Sequence, residues 1–125
     1  MSGKRVLIVE DTEDIAQLVQ YTLEELGLET VHVNNGAKAM AYLETQRTDL
    51  IILDIGLPGM SGWQLLDNLK AHRKQEGYKV IMLTAQADAA NRVIGKMQDV
   101  DAYVSKPFEI RTLVKTVQEL LESGK

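Results

Sequence analysis

Three four-residue runs, Val6-Leu7-Ile8-Val9, Leu50-Ile51-Ile52-Leu53 and Val80-Ile81-Met82-Leu83, are apolar at every position. A strand with one face in water alternates polar and apolar side chains. Strands with no polar residue must be covered on both faces, as in a parallel sheet between two helix layers. Two weaker runs, Thr30-Val31-His32-Val33 and Ala102-Tyr103-Val104, fit the edges of such a sheet. Helical spacing fills the intervals. In residues 13–26, Ile15, Ala16, Leu18, Val19, Leu23 and Leu26 fall on one side. They cover an arc of roughly 160°, wider than a surface helix needs. The excess, at Ile15 and Leu18, is left for something else to cover. Residues 109–122 repeat the pattern with Ile110, Leu113, Val114, Val117, Leu120 and Leu121, and residues 37–46, 63–73 and 88–97 supply three shorter helices. Strands alternating with helices through short connections form right-handed βαβ units. The fold class is therefore α/β: a doubly wound (βα)5 sandwich, with helices on both faces of a five-stranded parallel sheet.

At 125 residues the chain is one domain, read as residues 4–122 with a tail at 123–125. The absence of cysteine excludes a disulfide framework and any Cys-ligated zinc or iron–sulfur centre. Fourteen basic against eighteen acidic residues give a net charge of −4, which argues against direct nucleic-acid binding through bulk charge. No apolar run is long enough to cross a bilayer, and Met1-Ser2-Gly3-Lys4-Arg5 leads into a strand rather than a signal peptide. A cytoplasmic protein that does not engage a membrane is the expectation.

Ligands of open α/β sheets bind at the carboxyl ends of the strands. Here the first run ends in Glu10-Asp11, the third in Asp54, the fourth in Thr84-Ala85 and the fifth in Ser105-Lys106-Pro107, while the second ends in the turn Asn34-Asn35-Gly36. Singly, each has an ordinary use as a cap, a turn residue or a solvated charge. Together they do not. Glu10, Asp11 and Asp54 leave adjacent strands about 5 Å apart, and like charges about 4 Å apart repel by up to about 4 kcal/mol per pair near a protein surface. A hard divalent cation with oxygen ligands, Mg²⁺ above all, balances them. The alternative is one protonated carboxylate, for which a solvent-facing loop provides little desolvation. With Mg²⁺ the three carboxylates and Lys106 sum to zero, so the loaded site admits a phosphate dianion that the bare site repels. The turn Asp54-Ile55-Gly56-Leu57-Pro58-Gly59-Met60-Ser61-Gly62 is held tight by Pro58, Gly59 and Gly62. A cis Lys106-Pro107 bond would aim the ammonium back across the site, and a trans one would simply end the strand; the sequence allows both.

These motifs, together with Tyr103-Val104-Ser105-Lys106-Pro107-Phe108, resemble the receiver domain of two-component response regulators across roughly residues 4–122. The resemblance implies strand order 2-1-3-4-5. It makes Asp54 the phosphoacceptor, taking a phosphoryl group from a phosphohistidine of a sensor histidine kinase or a histidine phosphotransfer protein. Glu10, Asp11, Asp54 and the Gly56 carbonyl would hold Mg²⁺; Thr84, the Ala85 N–H and Lys106 would bind the phosphoryl oxygens. Thr84 and Tyr103 would form a switch that alters the face made by the fourth helix, fifth strand and fifth helix. Asp14, Ile15, Leu18, Pro107 and Phe108 match the positions that dock the kinase. Such a protein is not an enzyme acting on other substrates; it catalyses only its own phosphorylation and dephosphorylation. Gly56 and Gln86, which flank the line of hydrolytic attack, and Asp99, where relatives usually place glycine, depart from the family pattern. The block from Lys106 to Arg111 resembles regulators with winged-helix DNA-binding domains. Yet Ala102, Thr112 and Thr116 stand where dimers of those regulators use ion pairs. A monomer or a phosphorylation-dependent dimer is compatible with this, as is either a stand-alone regulator or a receiver from a longer chain, with its downstream protein or output domain unknown.

Three rivals differ in what they require. A receiver-like interaction module that works without phosphorylation predicts a damaged site, whereas the key side chains are all present. A flavin binder needs a phosphate loop after the first strand, where Glu10-Asp11-Thr12-Glu13-Asp14 would repel a phosphate. A phosphohydrolase needs a general acid for its leaving group, and His32 and His72 are expected on an edge strand and late in a helix, away from the acidic cluster.

Overall fold

The computed structural model describes residues 3–84 and 100–122. The helix expected over 88–97, together with Ala85, Gln86 and Asp99, lies outside the described residues. The elements run β1 (Arg5–Val9), α1 (Glu13–Glu25), β2 (Glu29–Val33), α2 (Gly36–Thr45), β3 (Leu50–Asp54), α3 (Gly62–Glu76), β4 (Lys79–Thr84), β5 (Ala102–Ser105) and α4 (Ile110–Glu122). The five strands form one sheet in the order β2-β1-β3-β4-β5, with every neighbouring pair parallel.

Alternation along each strand sorts the apolar side chains onto the two faces. Val6, Ile8, Leu50, Ile52, Ile81 and Leu83 pack against Ala16, Val19 and Leu23 of α1 and Leu113, Val117 and Leu121 of α4. Leu7, Val9, Ile51, Leu53, Val80 and Met82 pack against Ala39 and Leu43 of α2 and Leu65, Leu66 and Leu69 of α3. Each Val, Leu, Ile and Met side chain among these contributes about 1.5–3 kcal/mol on burial. The central strands are therefore fixed by both layers, whereas β2 and β5 are only partly covered.

The helix α3 outlasts the span read from its apolar spacing, 63–73, by one turn. Ser61 and Gln64 form a capping box at its start, and Gly77 closes it in the left-handed conformation at φ 80°. Its last turn is polar and held from outside: Arg73 Nη2 lies 2.7 Å from Asp101 Oδ2, and Arg73 Nε donates to the Tyr78 carbonyl.

Tyr78 packs beneath this turn, 4% exposed, with its hydroxyl 3.0 Å from His72 Nδ1. Burial pushes its phenol up to about 12, outweighing the Arg73 charge, which lowers it. A phenol raised in the folded state keeps its proton after the unfolded chain has lost its own. Stability from this group is thus constant below the unfolded pKa of about 10 and falls as pH rises from about 10 to about 12, by on the order of 2–3 kcal/mol in total. Urea unfolding of wild type and Tyr78→Phe across that range is expected to show a steeper alkaline loss in wild type; equal slopes would contradict it.

Candidate functional site

The strand register assembles the site. Val9 pairs with Leu53 and Asp54 with Leu83, while Thr84 pairs with Ser105, so Glu10, Asp54, Thr84 and Lys106 reach one edge of the sheet. One carboxylate oxygen from each of Glu10, Asp11 and Asp54 lies within 4.8 Å of the other two. Asp54 Oδ1 accepts the Gly56 N–H at 3.1 Å, and its Oδ2 accepts from Lys106 Nζ at 3.2 Å. Glu10 Oε2 accepts the Thr12 N–H at 3.1 Å, and Lys106 Nζ stands 3.0 Å from Glu10 Oε1. The Lys106-Pro107 bond is cis, the first of the two forms the sequence allows, and the Lys106 N–H donates to the Thr84 carbonyl. The turn after Asp54 folds back so closely that a Cβ on Gly62 would lie 2.8 Å from the Asp54 carbonyl oxygen, a contact that only glycine avoids.

The burial of this cluster corrects the expectation of a solvent-facing loop. Asp11 is exposed, but Asp54 is 7% exposed and Glu10 not at all. Burial raises the Glu10 pKa, and the Asp54 charge adds to the rise; Lys106 and the Thr12 N–H offset them only in part. Burial also pulls the Lys106 ammonium down, but the nearby Glu10 and Asp54 carboxylates, the latter hydrogen-bonded to it, outweigh this and the net shift is upward. Lys106 is therefore held charged, while Glu10 lacks enough positive charge. The same deficit shows in the geometry. Glu10 Oε1 is buried with the Lys106 charge 3.0 Å away but has no hydrogen-bond partner. An all-oxygen set with a surplus of negative charge and a buried oxygen lacking a hydrogen-bond partner fits a hard divalent cation. Among the described residues, no softer ligand is part of the cluster.

The remaining site residues are spread around this centre. Thr84 is buried at the end of β4. Tyr103 is half-buried on β5, its ring centroid 6.5 Å from that of Trp63. Trp63 went unsingled in the sequence because it falls inside an ordinary helical stripe. On α1, Asp14 is exposed and Leu18 is 51% exposed, whereas Ile15 is largely taken up by the core together with Phe108; Pro107 is exposed. Tyr21, one turn beyond Leu18, is 67% exposed and extends the same apolar strip. An aromatic three residues after Leu18 was the available signal. His72 is engaged with Tyr78, away from the acids. His32 corrects the sequence reading: its Nε2 lies 2.7 Å from the main-chain carbonyl oxygen of Glu10, a member of the cluster.

The family model of the response regulator receiver domain matches residues 6–118. This chain belongs to the response regulator receiver family. Among curated relatives, the receiver is 36% identical over 121 residues to the phosphate regulon transcriptional regulatory protein PhoB of Pseudomonas aeruginosa, covering 97% of this chain and 53% of that protein. It is 33% identical over 119 residues to the alkaline phosphatase synthesis transcriptional regulatory protein PhoP of Bacillus subtilis, covering 95% and 49%. The chain thus spans about half the length of the curated relatives it matches. Among solved structures, the receiver domain of a signal transduction histidine kinase from Syntrophus aciditrophicus superposes with a TM-score of 0.88 at 35% identity, covering 98% of this chain and 93% of that one. The response regulator TrrA of Thermotoga maritima, solved with Mg²⁺ and BeF, superposes with a TM-score of 0.81 at 32% identity, covering 94% and 98%. Among the described residues no helix is long and apolar enough to cross a membrane.

Proposed function

We propose that this receiver is a phosphorylation-activated switch whose phosphoacceptor is Asp54. The observation that carries the reading is the setting of that carboxylate: buried, held by the Gly56 N–H on one oxygen and by Lys106 on the other, with Glu10 and Asp11 alongside. An Asp54 oxygen attacks the phosphorus of a phosphohistidine. The O–P bond forms as the P–N bond breaks, and the electron pair returns to the imidazole of the donor. Gly56 and Lys106 keep the carboxylate from rotating away from the incoming group. Lys106 then pairs with a phosphoryl oxygen, while Thr84 and the Ala85 N–H take the others; the Ala85 role rests on the family motif alone. Glu10, Asp11, Asp54 and the Gly56 carbonyl would hold Mg²⁺, which would supply positive charge to offset the approaching phosphoryl oxygens.

The donor is a sensor histidine kinase or a histidine phosphotransfer protein, docked on the edge of α1 through Asp14, Ile15 and Leu18 with Pro107 and Phe108. The new charge on Asp54 draws Thr84 toward it, and Tyr103 turns into the space vacated. The face that includes β5 and α4 carries the change to a downstream protein or output domain. PhoB and PhoP are named as transcriptional regulators, which makes a linked output a natural arrangement, with the receiver working in the cytoplasm. The receiver catalyses only the gain and loss of its own phosphoryl group. Incubation with a small phosphodonor and Mg²⁺ is expected to add the mass of one phosphoryl group to the intact protein; no gain would contradict the reading.

A further inference from the structure

The ladder between β1 and β2 ends at the pair Val9 and Val33, after which the Glu10 N–H still reaches the Val33 carbonyl at 3.1 Å. The next group of Glu10, its carbonyl, is met by a side chain, the His32 imidazole, at 2.7 Å. A carbonyl oxygen can only accept, so Nε2 carries the proton in this contact. Both main-chain groups of Glu10 are thereby tied to β2. The Glu10 carbonyl lies in the same rigid peptide plane as the Asp11 N–H, so fixing its oxygen fixes the orientation of the link between two members of the acidic cluster.

We infer that His32 is a positioning residue for the cation site: its Nε2–H holds the Glu10–Asp11 peptide so that both carboxylates face Asp54 together. The inference rests on the functional reading above in taking the acidic cluster as a cation site. Support of a ligand from behind is a general requirement of metal sites, because an unsupported carboxylate must lose conformational freedom when the ion binds. His32 suits the task because β2 is an edge strand. A side chain there can extend the ladder beyond the point where the backbone departs into the turn at Asn34 and Asn35.

The test compares Mg²⁺ affinity by calorimetry in wild type, His32→Val and His32→Gln. Valine keeps strand propensity but has no donor; glutamine places an N–H at similar reach. His32→Val is expected to bind Mg²⁺ on the order of tenfold more weakly, and His32→Gln to stay within about threefold of wild type. Should the valine variant fail to fold, His32→Thr, too short to reach the carbonyl, replaces it in the same comparison. Equal affinity in all three proteins, or a glutamine variant as weak as the valine one, would overturn the role of His32 alone. A wild type that binds no Mg²⁺ would overturn this role and the functional reading together.

Discussion

Asp54→Asn is expected to lose all covalent labelling by a small phosphodonor in the presence of Mg²⁺, while wild type takes one phosphoryl group. The amide has nearly the carboxylate's shape but is not the anionic nucleophile the attack requires. Its effect on folding is small, because two changes oppose each other. One of the two donors at this position, the Gly56 N–H or Lys106, loses a good acceptor. Against this, one charge leaves a crowded acidic cluster and the repulsion on buried Glu10 falls. The variant should therefore unfold within about 1 kcal/mol of wild type in chelator, so loss of label cannot be assigned to loss of structure. Intact mass spectrometry with and without chelator reads the result. Label that persists in the variant would place the acceptor elsewhere.

Lys106→Met carries the second large effect, and its signs are unusual. Methionine keeps the length of the side chain but removes the cation that stands 3.0 Å from Glu10 and 3.2 Å from Asp54. Leaving buried carboxylates without their partner costs on the order of 3 kcal/mol, so the variant should be markedly less stable in chelator at neutral pH. Its Mg²⁺ affinity should rise, by on the order of tenfold, because a competing positive charge has left the site. Added Mg²⁺ therefore stabilises the variant more than wild type. Labelling slows, since the phosphoryl oxygens lose the ammonium. Urea unfolding with and without Mg²⁺ distinguishes this from simple damage. A variant as stable as wild type in chelator, or one that binds Mg²⁺ more weakly, would contradict the electrostatic role given to Lys106.

The layered fold was legible because the three apolar runs leave few alternatives. A strand without polar residues cannot face water, and short helical connections dictate parallel pairing. The acidic cluster was legible for a related reason: strand ends in such a sheet converge, whatever residues they carry. Burial at that edge was not legible. Whether Glu10 sits in solvent or beneath it depends on how the chain after β1 and the β5–α4 connection close over the strand ends, and tertiary packing decides that. The same holds for the Lys106-Pro107 bond, whose isomers are close in energy until the surroundings choose between them. His32 was missed because its partner is a main-chain carbonyl just past the end of the neighbouring strand. No spacing within the sequence records such a contact; only the register of β2 against β1 does. The end of α3 was missed because its last turn holds no apolar residue. Ion pairing and the left-handed Gly77 carry it instead.

The claim that the crowded carboxylates exist to hold a cation is tested most directly by Mg²⁺ calorimetry of the wild-type receiver beside Asp11→Asn. Asp11 is exposed and bears little on the core, so its change leaves the fold alone. Saturable binding of one Mg²⁺ by wild type, weakened severalfold or more in the variant, is the result predicted. No binding by wild type, or equal binding by both, would contradict it.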